Sequence, residues 1–242
     1  MGVTCCLIPI EHDLLVVRAP AAIAAEDLGP LRALVAELGA RPREVDEAAV
    51  AMRRLRVQKL EEMNAPPVIV ANERRFLAVA LGEGRQVDPA GMDRDALVAH
   101  LVQWGRHLVT DLDKSWDLIH WWCDPARRRR RARDVGSARE SVFDRMLFGQ
   151  ADAPELLAMG EGEAGYNPPE VVVELARAAE EVDVDAWSLD IFEGVPKKDL
   201  PYLASQGVDA ELLEYARESF ARLRAAYDRA RKLGLGMVAS CG

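Results

Sequence analysis

The chain has 242 residues, half of them hydrophobic and 29% charged, with a formal net charge of −9. That is the composition of a globular protein with enough apolar content for a real core. The acidic balance argues against a general nucleic-acid binder, which needs Lys and Arg to meet phosphate. The lack of any apolar run of about 18 residues argues against a transmembrane helix.

Residues 3–10 are apolar and rich in β-branched side chains, with Pro9 near the end, and predict an N-terminal strand. Acids at Glu11 and Asp13 and the lack of a basic leader give no expectation of a signal peptide. Short helix is predicted for 11–17. The alanine-rich span 21–38 predicts more helix, started or bent by Pro20 and Pro30 and stopped by Gly39. Residues 43–63 carry Val45, Ala49, Met52, Leu55 or Arg56, and Leu60 near helical spacing, and Pro66-Pro67 ends that helix. Residues 68–71 and 76–81 are apolar runs around Asn72-Glu-Arg-Arg75, a pattern that suits a hairpin, the second run being equally compatible with helix. After a loop at 82–91, helix is expected over 93–108 with Asp93 as N-cap.

The stretch Asp111-Leu-Asp-Lys-Ser-Trp-Asp-Leu-Ile-His-Trp-Trp122 holds three of the five tryptophans and one of the four histidines. It predicts a helix from Asp113 to Asp124-Pro125, and side chains this rare at this density mark the middle of a fold or a site. A basic run, 127–133, follows. Helix is expected again over 143–148, ending at Gly149, and a glycine-rich loop over 158–165. Asn167-Pro-Pro-Glu170 opens a helix to about Val182, with Asn as cap, Pro in the first turn and Glu three residues on. The most regular segment is 209–232, where Leu212, Ala216, Phe220, Leu223, Tyr227 and Ala230 form one stripe. Gly234 closes it, and 236–241 predicts a terminal strand. The two terminal strands are expected to share one small sheet, mixed or antiparallel, in a helix-dominated α+β fold, because each is too apolar to stand alone at a solvated terminus.

Several of these pieces fall in a recognisable order. A strand follows Met1-Gly2; then come Asp113-Lys-Ser-Trp116 with His120 one turn later, Leu147-Phe-Gly149, Gly165-Tyr-Asn-Pro168 before a helix, a late helix with Tyr215, Leu223 and Tyr227, and a final short strand. In this the chain resembles the YfbM-like family of uncharacterised bacterial proteins, best from about residue 108 onward. The resemblance implies a single α+β domain over 1–242, with 41–106 as an insertion or divergent region. The family carries no assigned activity, so the resemblance implies a fold and no chemistry. Members often have Gly-Tyr-Gly-Pro followed by a basic residue where this chain has Gly165-Tyr-Asn-Pro168 and then Pro169-Glu170.

For chemistry, Trp116 and His120 are four apart and share a helix face. One reading makes a pocket of Asp113, Lys114, Trp116, His120, Tyr166 and Asn167, with His120 as acid, base or ligand, Asp113 orienting it and Trp116 as a stacking wall. The other makes Asp113 a helix cap and His120 a satisfied core histidine. His100 and His107 are seven apart with Trp104 between them, and neither H-E-x-x-H nor paired cysteines occur, so spacing predicts no metal and no cofactor. Cys5, Cys6, Cys123 and Cys241 include no C-x-x-C pair and predict reduced core thiols of a cytoplasmic protein. Cys123 follows two tryptophans, an apolar setting that raises a thiol's pKa. Gly160, Gly162 and Gly165 formally match G-x-G-x-x-G, but Glu161 and Glu163 repel phosphate and no apolar strand precedes them. The basic run lacks interleaved aromatics and reads as a solvated loop.

Two function classes remain. One is a non-enzymatic module, immunity-like in its acidity and size, that binds a protein or small-molecule ligand. The other is an enzyme on a small or nucleotide-like substrate using Asp113, His120 and Tyr166. The first is favoured, since the sequence assembles no nucleophile–base pair, metal cluster or phosphate loop.

Overall fold

A computed structural model describes residues 4–41, 47–107, 109–124, 141–157 and 163–241. The chain divides into two compact units: one is residues 1–12 with 109–242, the other residues 13–108. The basic run 127–133 lies outside the described residues, as does most of the expected loop 158–165.

The first unit is built on an antiparallel sheet. Its strands are β1 (Cys5–Ile10), β2 (Thr110–Asp113), β3 (Ala151–Asp152), β4 (Glu163–Asn167) and β5 (Gly236–Cys241), in the order β2-β1-β5-β4-β3. The terminal strands β1 and β5 pair directly, Leu7 opposite Ala239 and Pro9 opposite Met237. Alternation along a strand decides the faces. Cys5 and Leu7 of β1, with Met237 and Ala239 of β5, join the helical core, while Ile8 and Val238 lie on the other face, buried as well. Burial on both faces explains why neither strand shows a clean polar–apolar alternation in the sequence.

Helices α6 (Trp116–Cys123), α7 (Val142–Phe148), α8 (Pro169–Glu180) and α9 (Ala210–Lys232) belong to this unit. The α9 stripe is buried as its spacing requires: Ala216, Phe220, Leu223, Tyr227 and Ala230 are all sealed from solvent. Asp209 caps the helix, its carboxylate accepting from the Leu212 amide at 2.9 Å, and Gly234 ends it with φ +65°. Helix α7 closes with Gly149 at φ +72° and lies directly on β4. A Cβ on Gly149 would overlap the Tyr166 amide, and one on Gly165 would overlap the Phe148 carbonyl. Two glycines therefore set how near helix and strand approach.

Two sequence readings in this unit are corrected. Residues 163–167 were expected as loop and turn, but they form β4; with two glycines nearby the pattern resembles a loop, yet the sheet supplies the backbone partners. Asn167 was expected to cap α8. The cap position is Pro168, without a side-chain hydrogen bond, and the Asn167 side chain is fully buried elsewhere.

The second unit is helical among its described residues. After a π-helical turn (Asp13–Arg18) come α1 (Ala19–Ala24), α2 (Gly29–Ala40), α3 (Glu47–Glu62), α4 (Pro67–Leu81) and α5 (Arg94–Trp104). The hairpin reading of 68–81 fails: the span is one helix, paired with α3. Two residues of the polar tetrad that looked like a turn, Glu73 and Arg74, make ion pairs to α3. Glu73 takes Arg53 at 3.3 Å and Arg56 at 3.2 Å, and Arg74 takes Glu61 at 2.7 Å. The expected α3 stripe runs through Leu55, which is exposed, whereas Val50 is buried. Asp93 caps α5 through the Ala96 amide at 2.8 Å, as expected. The helix ends at Trp104, so His100 and His107 do not share a helix face. His100 is buried against the Arg85 carbonyl at 3.0 Å, and burial lowers its pKa. No helix of the described residues is long and apolar enough to cross a membrane.

Candidate functional site

Asp113 does not start the motif helix. It ends β2 opposite Cys5 with φ +46°, a conformation that Asp tolerates better than most residues, and the chain turns through Lys114 and Ser115 before α6 begins at Trp116. Ser115 is sealed from solvent and its hydroxyl donates to the Leu112 carbonyl, tying the turn to the strand it leaves. The Asp113 carboxylate accepts from the Tyr215 hydroxyl of α9 at 3.4 Å. Lys114 Nζ stands 5.2 Å from the centre of the Tyr202 ring. Asp113 and Lys114 thus lie toward solvent, with aromatic partners from later in the chain.

The next acid was not among the expected site residues. Asp117 is in the first turn of α6, and its Oδ2 accepts from the Tyr202 amide at 2.7 Å. Its Oδ1 is sealed from solvent. Burial pushes the carboxyl up to about 6, against the opposing pull of the Tyr202 and Leu118 amides.

His120 lies on the inner side of α6 and is 6% exposed. Its Nε2 is 2.9 Å from Asp144 Oδ1. Asp144, 1% exposed, is also the third residue of α7 and completes a capping box: its amide donates to the Ser141 hydroxyl at 3.0 Å, and its Oδ2 accepts from the Ser141 amide at 3.1 Å. Phe148, at the far end of α7, meets the Trp116 ring edge-on at 5.6 Å and the His120 ring edge-on at 6.3 Å. Trp116 and His120 are therefore gathered on one aromatic ring, as their spacing suggested. The rest of the motif is packing. Trp122 stacks on Trp187 at 5.1 Å and meets Phe192, while Trp121 stacks on Phe192. Burial pushes the Cys123 thiol up to about 12, in line with the apolar setting read from the sequence.

Tyr166 and Asn167, adjacent on β4, point to opposite faces of the sheet. Asn167 is on the helix side, buried. It donates to the Arg145 carbonyl at 2.7 Å and to the Tyr227 hydroxyl at 3.2 Å, and accepts from the Gln150 amide at 2.8 Å. Tyr227 in turn donates to the Met146 carbonyl at 2.7 Å. Tyr166 lies on the other face, opposite Val238, where its hydroxyl bonds His12 Nδ1 and its ring stacks on that imidazole. Burial pushes the Tyr166 hydroxyl pKa up. The structure thus brings Trp116 and His120 together and puts Tyr166 on the other side of the sheet. The expectation that all three gather depended on a turn at 165–168, and a strand there sends consecutive side chains apart.

Sequence reasoning missed Asp144, His12 and Asp117. Asp144 had a readable signal, since Ser141 three residues before an acid at the start of an apolar run is a helix-start pattern. His12 and Asp117 had none, because their partners come from 154 and 85 residues away.

No curated protein matches the chain. Among solved structures, it is similar to the crystal structure of YfbM, a protein of unknown function from Escherichia coli, at 15% identity. The alignment covers 56% of this chain and 81% of that one, with a TM-score of 0.42. A family model described as "Domain of unknown function (DUF1877)" matches residues 91–240. That span takes in β2 to β5 and α6 to α9, more than half of the chain, and the chain belongs to the DUF1877 family.

Proposed function

We propose that this protein is a non-enzymatic binding module whose acidic surface takes a basic partner protein, an immunity-like role in the bacterial cytoplasm. What supports the reading is the use made of the polar groups at the candidate site. His120, Tyr166 and Asn167 each form hydrogen bonds within the fold, so the groups with the most chemistry in the candidate pocket are engaged in holding helices and sheet together. The net charge of −9 favours a basic partner and fast, salt-sensitive association. Residues 41–106 are, on this reading, an insertion within one family domain. The family match begins only at residue 91, yet β1, far upstream, is a strand of the matched region's sheet.

The test combines binding and stability. A partner recovered by cross-linking in the native host is purified and titrated against this protein at low and high salt; the expected result is a saturable complex that weakens as salt rises. In parallel, His120→Ala should lose about 2–4 kcal/mol of stability, from a cavity and the lost hydrogen bond to Asp144. Turnover of a small-molecule substrate that is lost in Asp113, His120 or Tyr166 variants would overturn the reading.

A second reading, an enzyme on a small or nucleotide-like substrate using Asp113, His120 and Tyr166, is favoured by one observation. An acid does stand within hydrogen-bond reach of His120, as an orienting carboxylate would in acid–base catalysis. It requires the buried pair to open toward solvent, and it requires Tyr166 to act from the other face of the sheet.

A further inference from the structure

We propose that residues 194–207 form a strap across the first turn of α6, latched by the Asp117 side chain, that acid holds closed and that loosens as pH rises. The proposal is independent of whether the protein is a binding module or an enzyme.

The way this span is tethered carries it. Between Gly194 and Gly207 the chain makes one short 3₁₀ turn, Lys197–Asp199, and then irregular turns. The backbone hydrogen bonds of residues 196–206 are local: the Asp199 amide donates to the Pro196 carbonyl, the Ser205 amide to the Pro201 carbonyl and the Gln206 amide to the Leu203 carbonyl. Among the described residues, a single hydrogen bond ties 196–206 to the rest of the unit, from the Tyr202 amide to Asp117 Oδ2 at 2.7 Å. The remaining hold is contact. Pro201 and Ala204 are buried, Leu200 and Leu203 pack half-buried on the core, and Lys114 meets the exposed Tyr202 ring. Both ends can pivot. Gly194 has φ +70° and open space where a Cβ would be, and a Cβ on Gly207 would meet nothing nearer than the Asp209 carboxylate at 3.9 Å. A segment with so few ties to its surroundings opens at lower cost than the helices beside it.

The latch is a titratable group in a sealed place. Asp117 Oδ1 has no access to solvent, and burial raises the carboxyl to about 6. The amides of Tyr202, Leu118 and Asp117 itself and, from the same helix, His120 act on it in the opposite sense. Lys114 faces the Tyr202 ring, and Lys197, Lys198 and Asp199 of the strap are exposed. With the strap open, water reaches the carboxyl and returns it toward its ordinary 3.8. The closed strap therefore binds the proton more tightly than the open one. Below about pH 4 both states are protonated, and closure is at its firmest. Between about pH 4 and about pH 6 the open state ionises first, and opening gains up to about tenfold per pH unit. Above about pH 6 both states are ionised and the gain is complete. The bond from the Tyr202 amide strengthens as the carboxylate forms, but burial is the larger effect on the group and sets the direction.

Hydrogen–deuterium exchange of the full chain tests it, with each amide expressed as protection against its own intrinsic rate at that pH. Protection over 200–206 should fall about tenfold between about pH 5 and about pH 7.5, and the Tyr202 amide is the most direct reporter. In Asp117→Asn the side chain takes up no proton while its oxygen still accepts from the Tyr202 amide, so strap protection should change by less than about twofold over the same range. Amides of α9 should stay better protected than the strap at both pH values, since the opening is local. Strap protection in the parent that does not respond to pH would overturn the proposal. So would a response of about tenfold that persists in Asp117→Asn, by placing the titration on another group, His120 first. Equal protection in strap and α9 would overturn it as well, because the whole unit would then be opening at once.

Discussion

Asp117 offers the sharpest quantitative test of the packing around α6. Its carboxyl rises from an ordinary 3.8 to about 6 because burial disfavours the charged form. A group whose folded pKa is raised binds its proton more tightly in the folded protein than in the unfolded chain. Its charge therefore costs stability above pH 6, the cost fades as pH falls from 6 toward 4, and below that it is gone. The rise is worth about 3 kcal/mol, at about 1.36 kcal/mol per pH unit. Asp117→Asn removes the charge at every pH and keeps an oxygen to accept from the Tyr202 amide. It also puts an amide NH₂ where Oδ1 is sealed, a constant penalty of about 1 kcal/mol that does not vary with pH. Urea unfolding of parent and variant at pH 8 should then favour the variant by about 2 kcal/mol, and at pH 4 the order should reverse slightly. The change in their difference between the two pH values, about 2.5 kcal/mol, isolates the electrostatic part, since the constant penalty cancels. A difference between the two proteins that is the same at pH 4 and pH 8 would refute the reasoning and show that water reaches the carboxylate.

Three further outcomes test the core of the first unit. Phe220→Ala, at a ring sealed from solvent and edge-on to Trp187 at 5.4 Å, should cost about 3–5 kcal/mol; a thermal melt matching the parent would show that the α9 stripe is not the core. Tyr227→Phe removes the hydroxyl that donates to the Met146 carbonyl and accepts from one of the two Asn167 amide hydrogens, and chemical denaturation should show a loss of about 1–3 kcal/mol. Gly165→Ala sets a methyl against the backbone of α7 and should destabilise by about 3 kcal/mol or more. Gly82→Ala, at a glycine with open space around it, should show only the strain of its positive φ in the same melt, about 1 kcal/mol.

Much of the fold was legible because long helices announce themselves by period. The α9 stripe, the Asp93 cap and the glycines after α7 and α9 all follow from local chemistry that the chain carries in a few neighbouring residues. The terminal strands were legible from their apolar content, and their pairing from the need to cover them. The misread spans are those where local chemistry points one way and tertiary partners another. The tetrad at 72–75 is polar enough for a turn, and the partners that Glu73 and Arg74 find on α3 are out of reach of a local reading. Residues 165–168 have turn composition, and only the edges of β5 and β3 make 165–167 strand. β2 was missed because four residues with three polar side chains carry no period.

The same distinction governs the candidate site. Sequence density correctly marked 111–122 as a place where costly side chains meet, but density does not separate a site from a core. In the structure most of that density is absorbed by packing: Trp122 against Trp187 and Phe192, Trp121 against Phe192, Trp116 against Phe148. The polar groups of the motif are bonded within the fold as well, His120 to Asp144 and Asp117 to the Tyr202 amide. A buried imidazole facing a carboxylate is more than a core histidine needs, since a backbone carbonyl suffices for His100 at the Arg85 oxygen. The contrast between these two histidines lies in what each one ties together: His100 is bonded to a backbone carbonyl, whereas His120 is bonded to the side chain that starts α7, so its hydrogen bond joins two helices.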